Sequence, residues 1–263
     1  MRERKPPRAM VVFETIRAEG DEELDRPTLS LAASGLAAGL SMGFSFVATA
    51  LIASMLPDTP SRRLFESLGY TVGFLFVVLG RQQLFTENTL TVILPLLDSG
   101  DRLRTFWKVV RLWCIVLAAN LAGVALFATF VAHSGVFPAE IMSQFERLGH
   151  LAISAPPASI LLRGIFAGWL LALMVWLLPA AESARPWIIL IVTYLVGLGG
   201  FSHIIAGSVE VLYLVATGQL ALGSYLANFL LPVFCGNVIG GVSLVALLNY
   251  AQVVAEKPEP AAP

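Results

Sequence analysis

Six apolar runs dominate this sequence, at about 29–56, 67–97, 106–132, 155–179, 187–217 and 221–251. Each reaches the roughly 20 residues that cross a bilayer. In lipid every backbone N–H and C=O must be satisfied within the protein, so runs of this length point to helices. Between Pro27 and Ala255 only 19 of 229 residues are charged, far below the quarter usual in soluble domains. Hydrophobic residues make up 57% of the chain. This excludes a disordered chain, a coiled coil, a disulfide scaffold and most soluble enzymes. A polar segment, 1–27, and a tail, 253–263, flank a membrane domain at 28–252. The charged start and the long first run argue against a cleavable signal peptide. Residues 12–25 read either as a short amphipathic helix capping one face or as a solvated head.

Six spans put both termini on one side. Near the membrane that side holds Arg17, Arg26, Arg102, Arg104, Lys108, Arg111, Arg185 and Lys257, against Arg62, Arg63, Arg147 and Arg163 on the other. The excess argues for cytoplasmic termini, in an inner (plasma) membrane of bacterial type. Arg104, Lys108 and Arg111 share a helix face and read as snorkelling interfacial residues. A net charge of −1 gives no footprint for nucleic acid. No HExxH, GxSxG or metal-spaced cluster is present, so neither an enzyme nor a cofactor is expected.

The two halves resemble one another. Gly35 and Gly39 of span one match Gly164 and Gly168 of span four. Asn120 to Gly123 of span three match Asn237 to Gly240 of span six. Three spans per half is an odd number, so the halves enter the membrane in opposite orientation, as in inverted-repeat transporters and channels. The small residues at four-residue spacing read as close helix-packing faces.

Spans two and five are interrupted at matched positions, by Gly80-Arg81-Gln82-Gln83-Leu84-Phe85-Thr86-Glu87-Asn88 and by Gly197-Leu198-Gly199-Gly200-Phe201-Ser202-His203. Non-helical backbone at membrane depth survives only where protein buries it or water reaches it. Matched breaks therefore point to a substrate site near the midplane, with the positive end of a half-helix facing it. His203, an ionisable group in lipid, reads as functional, and Thr86 offers a hydroxyl from the opposite break. Arg81, Glu87 and Glu210 are the remaining mid-span charges. Arg81 and Glu87 are expected to pair across their break, and a structural ion-pair role is favoured for all three over a pore role. Arg163 reads as an interfacial residue.

These motifs resemble the formate/nitrite transporter family. The matches are Leu84-Phe85-Thr86, Asn120-Leu121-Ala122-Gly123, Gly200-Phe201-Ser202-His203 and Gly236 to Gly241, spread over about 27–250. The resemblance implies an all-α, aquaporin-like membrane protein. Its six transmembrane helices form an inverted 3+3 repeat with discontinuous helices two and five. It implies a homopentamer with one pore per protomer, and small monovalent anions such as formate, nitrite or hydrosulfide, or their neutral acids, with protons as partners. Carried over by motif, Thr86 and His203 form the central polar pair. Leu84, Phe85 and Phe201 are constriction or break residues, and Phe74 and Leu171 line an outer constriction. Asn88 and Ser202 flank the central pair. Three positions depart from the family: residues 148–162 hold no lysine, only His150; Gly168 stands where an asparagine is frequent; and Ser202, not Glu, precedes the histidine. The missing lysine implies weaker attraction of anions at the outer mouth. An aquaporin-like conduit for neutral solutes and a non-transporting structural or sensory protein are the alternatives.

Overall fold

The computed structural model describes residues 8–255. The basic tail residue Lys257, and residues 1–7, lie outside that range. The described residues are helical throughout apart from turns and the two breaks. The helices are α1 (Ala9–Asp25), α2 (Thr28–Ser54), α3 (Arg62–Leu79), α4 (Asn88–Asp98), α5 (Arg102–His133), α6 (Ala139–Ala152), α7 (Pro157–Leu177), α8 (Arg185–Gly199), α9 (Ile204–Ala216) and α10 (Leu222–Ala255). Four of them, α2, α5, α7 and α10, are long and apolar enough to cross a bilayer alone. Helices α8 and α9 make a fifth span, bent by 47° at its break. The counterpart pair α3 and α4 carries Arg62, Arg63 and Glu66 in its first turns, which lowers its hydropathy.

The small-residue faces are packing faces. Helix α2 lies on α5, and α7 lies on α10, with backbone close to backbone. A Cβ on Gly39 would meet the carbonyl oxygen of Asn120 at 2.3 Å, and one on Gly168 that of Asn237 at 2.2 Å. No side chain fits there. Where α10 passes these contacts it widens into π-helical turns, at Leu226–Leu230 and Ile239–Ala246.

Helix α1 is a cap. Val12, Phe13, Ile16, Gly20 and Leu24 form one buried stripe, and the Phe13 ring packs on Tyr250 near the end of α10, centroids 5.8 Å apart. Both ends of the described chain therefore meet on one face, called here the terminal face. Lys108 and Arg111 hold the α1–α2 elbow. Lys108 Nζ donates to Asp25 at 2.6 Å, and Arg111 donates to the Arg26 carbonyl at 2.9 Å and to Thr28 at 3.0 Å. On the distal face the 133–157 connection is not merely a linker. It contains α6, whose Phe145 packs against Phe46 at 4.6 Å and Phe137 at 5.2 Å.

Candidate functional site

Each break is held open by one asparagine. Asn120 Oδ1 accepts from the Phe85 N–H at 2.9 Å, and its Nδ2 donates to the carbonyls of Gln83 and Gly35, both at 2.8 Å. Asn237 Oδ1 accepts from the Ile204 N–H, and its Nδ2 donates to the carbonyls of Ser202 and Gly164, all at 2.9 Å. Breaking a helix in lipid strands backbone groups at several kcal/mol each. A primary amide, with one acceptor oxygen and two N–H donors, satisfies both kinds at once. The matched bonds fix the repeat register: Gln83 answers to Ser202 and Phe85 to Ile204, so Leu84 answers to His203.

His203 begins α9. Its Nδ1 accepts from the backbone N–H groups of Ile205 at 3.3 Å and Ala206 at 3.1 Å. A ring nitrogen that accepts carries no proton, so in the neutral ring the hydrogen sits on Nε2. Nε2 lies 2.8 Å from Thr86 Oγ1 and donates to it. The Thr86 hydroxyl makes no other hydrogen bond among the described residues, so its own hydrogen remains available. The first N–H groups of α9 do not face an open midplane, as the sequence suggested. Asn237 and His203 take them, and the positive helix end acts through the imidazole.

Two cavities approach this pair from opposite faces. The distal cavity, about 550 Å³, is lined by Arg62, Arg63, Tyr70, Phe201, Ser202 and His203 among others. The terminal cavity, about 240 Å³, is lined by Glu19, Val78, Gln83, Glu87, Asn88 and Val175 among others. Along one face of α3, Tyr70 lines the distal cavity, Phe74 neither, and Val78 the terminal one. Eight residues separate Tyr70 from Val78, about 12 Å of helix. Phe74, Leu84, Thr86 and Leu171 are fully buried and line neither cavity. The Phe74 ring meets His203 edge-on at 5.0 Å.

The other expected residues fall as follows. Phe201 lines the distal cavity and stacks on Phe166 at 5.1 Å. The Phe85 ring packs on Trp113 at 5.5 Å and Phe234 at 5.6 Å, anchoring its break. Leu171 lies one turn from Val175 of the terminal cavity, as Phe74 lies one turn from Val78. Asn88 donates to Gln83 Oε1 at 3.0 Å. Arg81 does not pair with Glu87. Its backbone is left-handed (φ 51°), which turns the side chain out to Glu19 on α1 at 3.4 Å. Glu87 lines the terminal cavity and Glu210 the distal one, and neither makes an ion pair among the described residues. Arg163 lines the distal cavity.

Comparison with known proteins decides the family: the formate/nitrite transporter model matches residues 10–251. The chain belongs to the formate/nitrite transporter family. It is 39% identical over 251 residues to the inner membrane protein YfdC of Escherichia coli (strain K12), covering 95% of this chain and 81% of that one. It is 25% identical to the formate channel FocB of the same organism, covering 90% and 91%. Its fold matches that of a solved FNT family ion channel (TM-score 0.81, 18% identity, covering 92% and 98%). It also matches a pentameric formate channel with formate bound (TM-score 0.73, 20% identity, covering 86% and 98%). The protein is thus an integral, multi-pass membrane protein of a transporter family with an aquaporin-like fold.

Within that family two features here escaped the sequence reading. Asn120 and Asn237 were visible as repeat and motif markers, not as clamps on the breaks. The distal cavity gathers Arg62, Arg63, Arg147 and Arg163.

Proposed function

We propose that each protomer conducts a small monovalent anion or its neutral acid, of the formate, nitrite or hydrosulfide kind, between the two cavities past Thr86 and His203. The observation that carries this reading is the Thr86–His203 hydrogen bond at 2.8 Å, set between cavities that end about one helical turn on either side of Phe74. The His203 Nε2–H and the Thr86 hydroxyl can both turn from each other to an oxygen of the solute. Phe74, Leu84 and Leu171 make the layer apolar, and a bare charge is costly there while a protonated acid is far cheaper. His203 can take a second proton only by releasing the N–H groups of Ile205 and Ala206, which couples proton exchange to the cap of α9.

The chain assembles as a homopentamer with one passage per protomer, and its terminal face is cytoplasmic. The four basic residues assigned to the other side support this orientation, because all four line the distal cavity and leave the distal loops poor in Lys and Arg. Reconstituted liposomes test the reading: formate, nitrite, acetate and hydrosulfide flux across a pH series should exceed that of empty liposomes for at least one solute. No flux for any of them would end it.

A further inference from the structure

The distal cavity holds four arginines, and they divide into two kinds. Arg62 and Arg147 are committed. Arg62 Nε donates to Glu66 Oε1 at 2.6 Å, Arg147 donates to the same oxygen, and Arg62 also bonds Gln144. Asp58 stands 3.6 Å from Arg62. Arg63 and Arg163 are different: neither makes an ion pair or a side-chain hydrogen bond among the described residues. Of the cavity's three carboxyls, Asp58 and Glu66 face Arg62, and Glu210 is beyond ion-pair distance of every arginine.

Arg63 is also placed. Its guanidinium lies against Gly200, where a Cβ would come within 2.3 Å of Nη2. Gly200 is left-handed (φ 62°), a conformation glycine adopts without strain, and its bare face makes room for Arg63 at the residue that precedes Phe201, Ser202 and His203 in the break. An unpaired guanidinium thus lines the cavity beside the break.

Resting on the conduit reading above, we propose that Arg63 and Arg163 form an outer binding station for planar oxyanions, which hold the solute before it reaches His203. A guanidinium presents N–H donors in a rigid planar fork that matches two in-plane oxygens, as in a carboxylate or nitrite. Hydrosulfide, with one sulfur as its only heavy atom, offers no second acceptor to the fork. A lysine would attract all three by charge alone. The station therefore selects by shape as well as by charge.

The test compares wild type, Arg63→Lys, Arg163→Lys and Arg63→Ala in liposomes, measuring initial flux against concentration for formate, nitrite and hydrosulfide. The lysine variants keep the charge on exposed side chains, and circular dichroism confirms that each is folded. Arg63→Lys is expected to raise the half-saturating concentration of formate and nitrite about fivefold or more, and to leave hydrosulfide within twofold. Unchanged half-saturation in both lysine variants would overturn the station, as would an equal loss for all three anions, since charge alone would then suffice. Calorimetric titration of the detergent-solubilised protein with sodium formate separates this from the conduit reading. Binding lost in Arg63→Ala supports the station even where no flux is seen. Binding equal in wild type and Arg63→Ala contradicts it whatever the flux.

Discussion

Asn120 and Asn237 make the same three hydrogen bonds in the two halves of the chain, one to a break N–H, one to a break carbonyl and one to a glycine carbonyl. Both are fully buried. Truncating either strands three buried backbone groups, each costing about 1–3 kcal/mol. Asn120→Ala and Asn237→Ala are each expected to cost roughly 3–5 kcal/mol, read as a fall in the unfolding temperature in detergent. An unchanged unfolding temperature for either would show that its break is held by something else.

Those asparagines also mark how far the sequence could be read. The breaks, the repeat and the candidate pair Thr86 and His203 were legible because lipid leaves few tolerated reasons for polar or glycine-rich residues at mid-span. The clamps were not, because the partners of Asn120 are backbone atoms of residues 35, 83 and 85, and no side-chain pattern records them. The Arg81–Glu87 pair failed for a local reason, since a left-handed Arg81 aims its side chain at α1. That the distal arginines share a cavity was not legible, because residues 62, 63, 147 and 163 come to line it only after α3, α6 and α7 have packed.

The Gly168 contact admits a sharper comparison. A Cβ there would overlap the Asn237 carbonyl oxygen at 2.2 Å, whereas one on Gly223 would meet nothing within 4 Å. Gly168→Ala should lower the unfolding temperature by several degrees, while Gly223→Ala should leave it unchanged or slightly raised by the less flexible unfolded chain. Equal effects at the two positions would contradict the close α7–α10 packing.

Arg81 carries strain at the start of its break. Glycine adopts φ near 51° freely, and the exposed Arg81–Glu19 pair contributes under about 1 kcal/mol. Arg81→Gly is therefore expected to be neutral or stabilising by up to about 1 kcal/mol, and the β-branched Arg81→Val to be destabilising. A marked loss of stability in Arg81→Gly would show that its tie to α1 matters more than its backbone.

The elbow between α1 and α2 should respond to acid. The hydrogen bond and charge of Lys108 hold the Asp25 carboxyl below its ordinary value of 3.8. A carboxylate with a lowered folded-state pKa stabilises above its unfolded value, and that contribution disappears as pH falls through the folded one. The difference in unfolding temperature between wild type and Asp25→Asn should thus be constant at neutral pH and shrink below about 3.8. It should also weaken in high salt, since Asp25 is exposed. A difference that persists at the acid end would show that Asp25 acts without its charge.

The central claim is that solute passes between Thr86 and His203, and formate flux into liposomes carrying wild type, Thr86→Val or His203→Ala measures it most directly. Thr86→Val keeps the side-chain shape and removes only the hydroxyl. The expected result is wild-type flux above empty liposomes, a reduction of about tenfold or more in Thr86→Val, and an altered pH dependence in His203→Ala. Wild-type flux with both variants unchanged in rate and pH profile would contradict the claim.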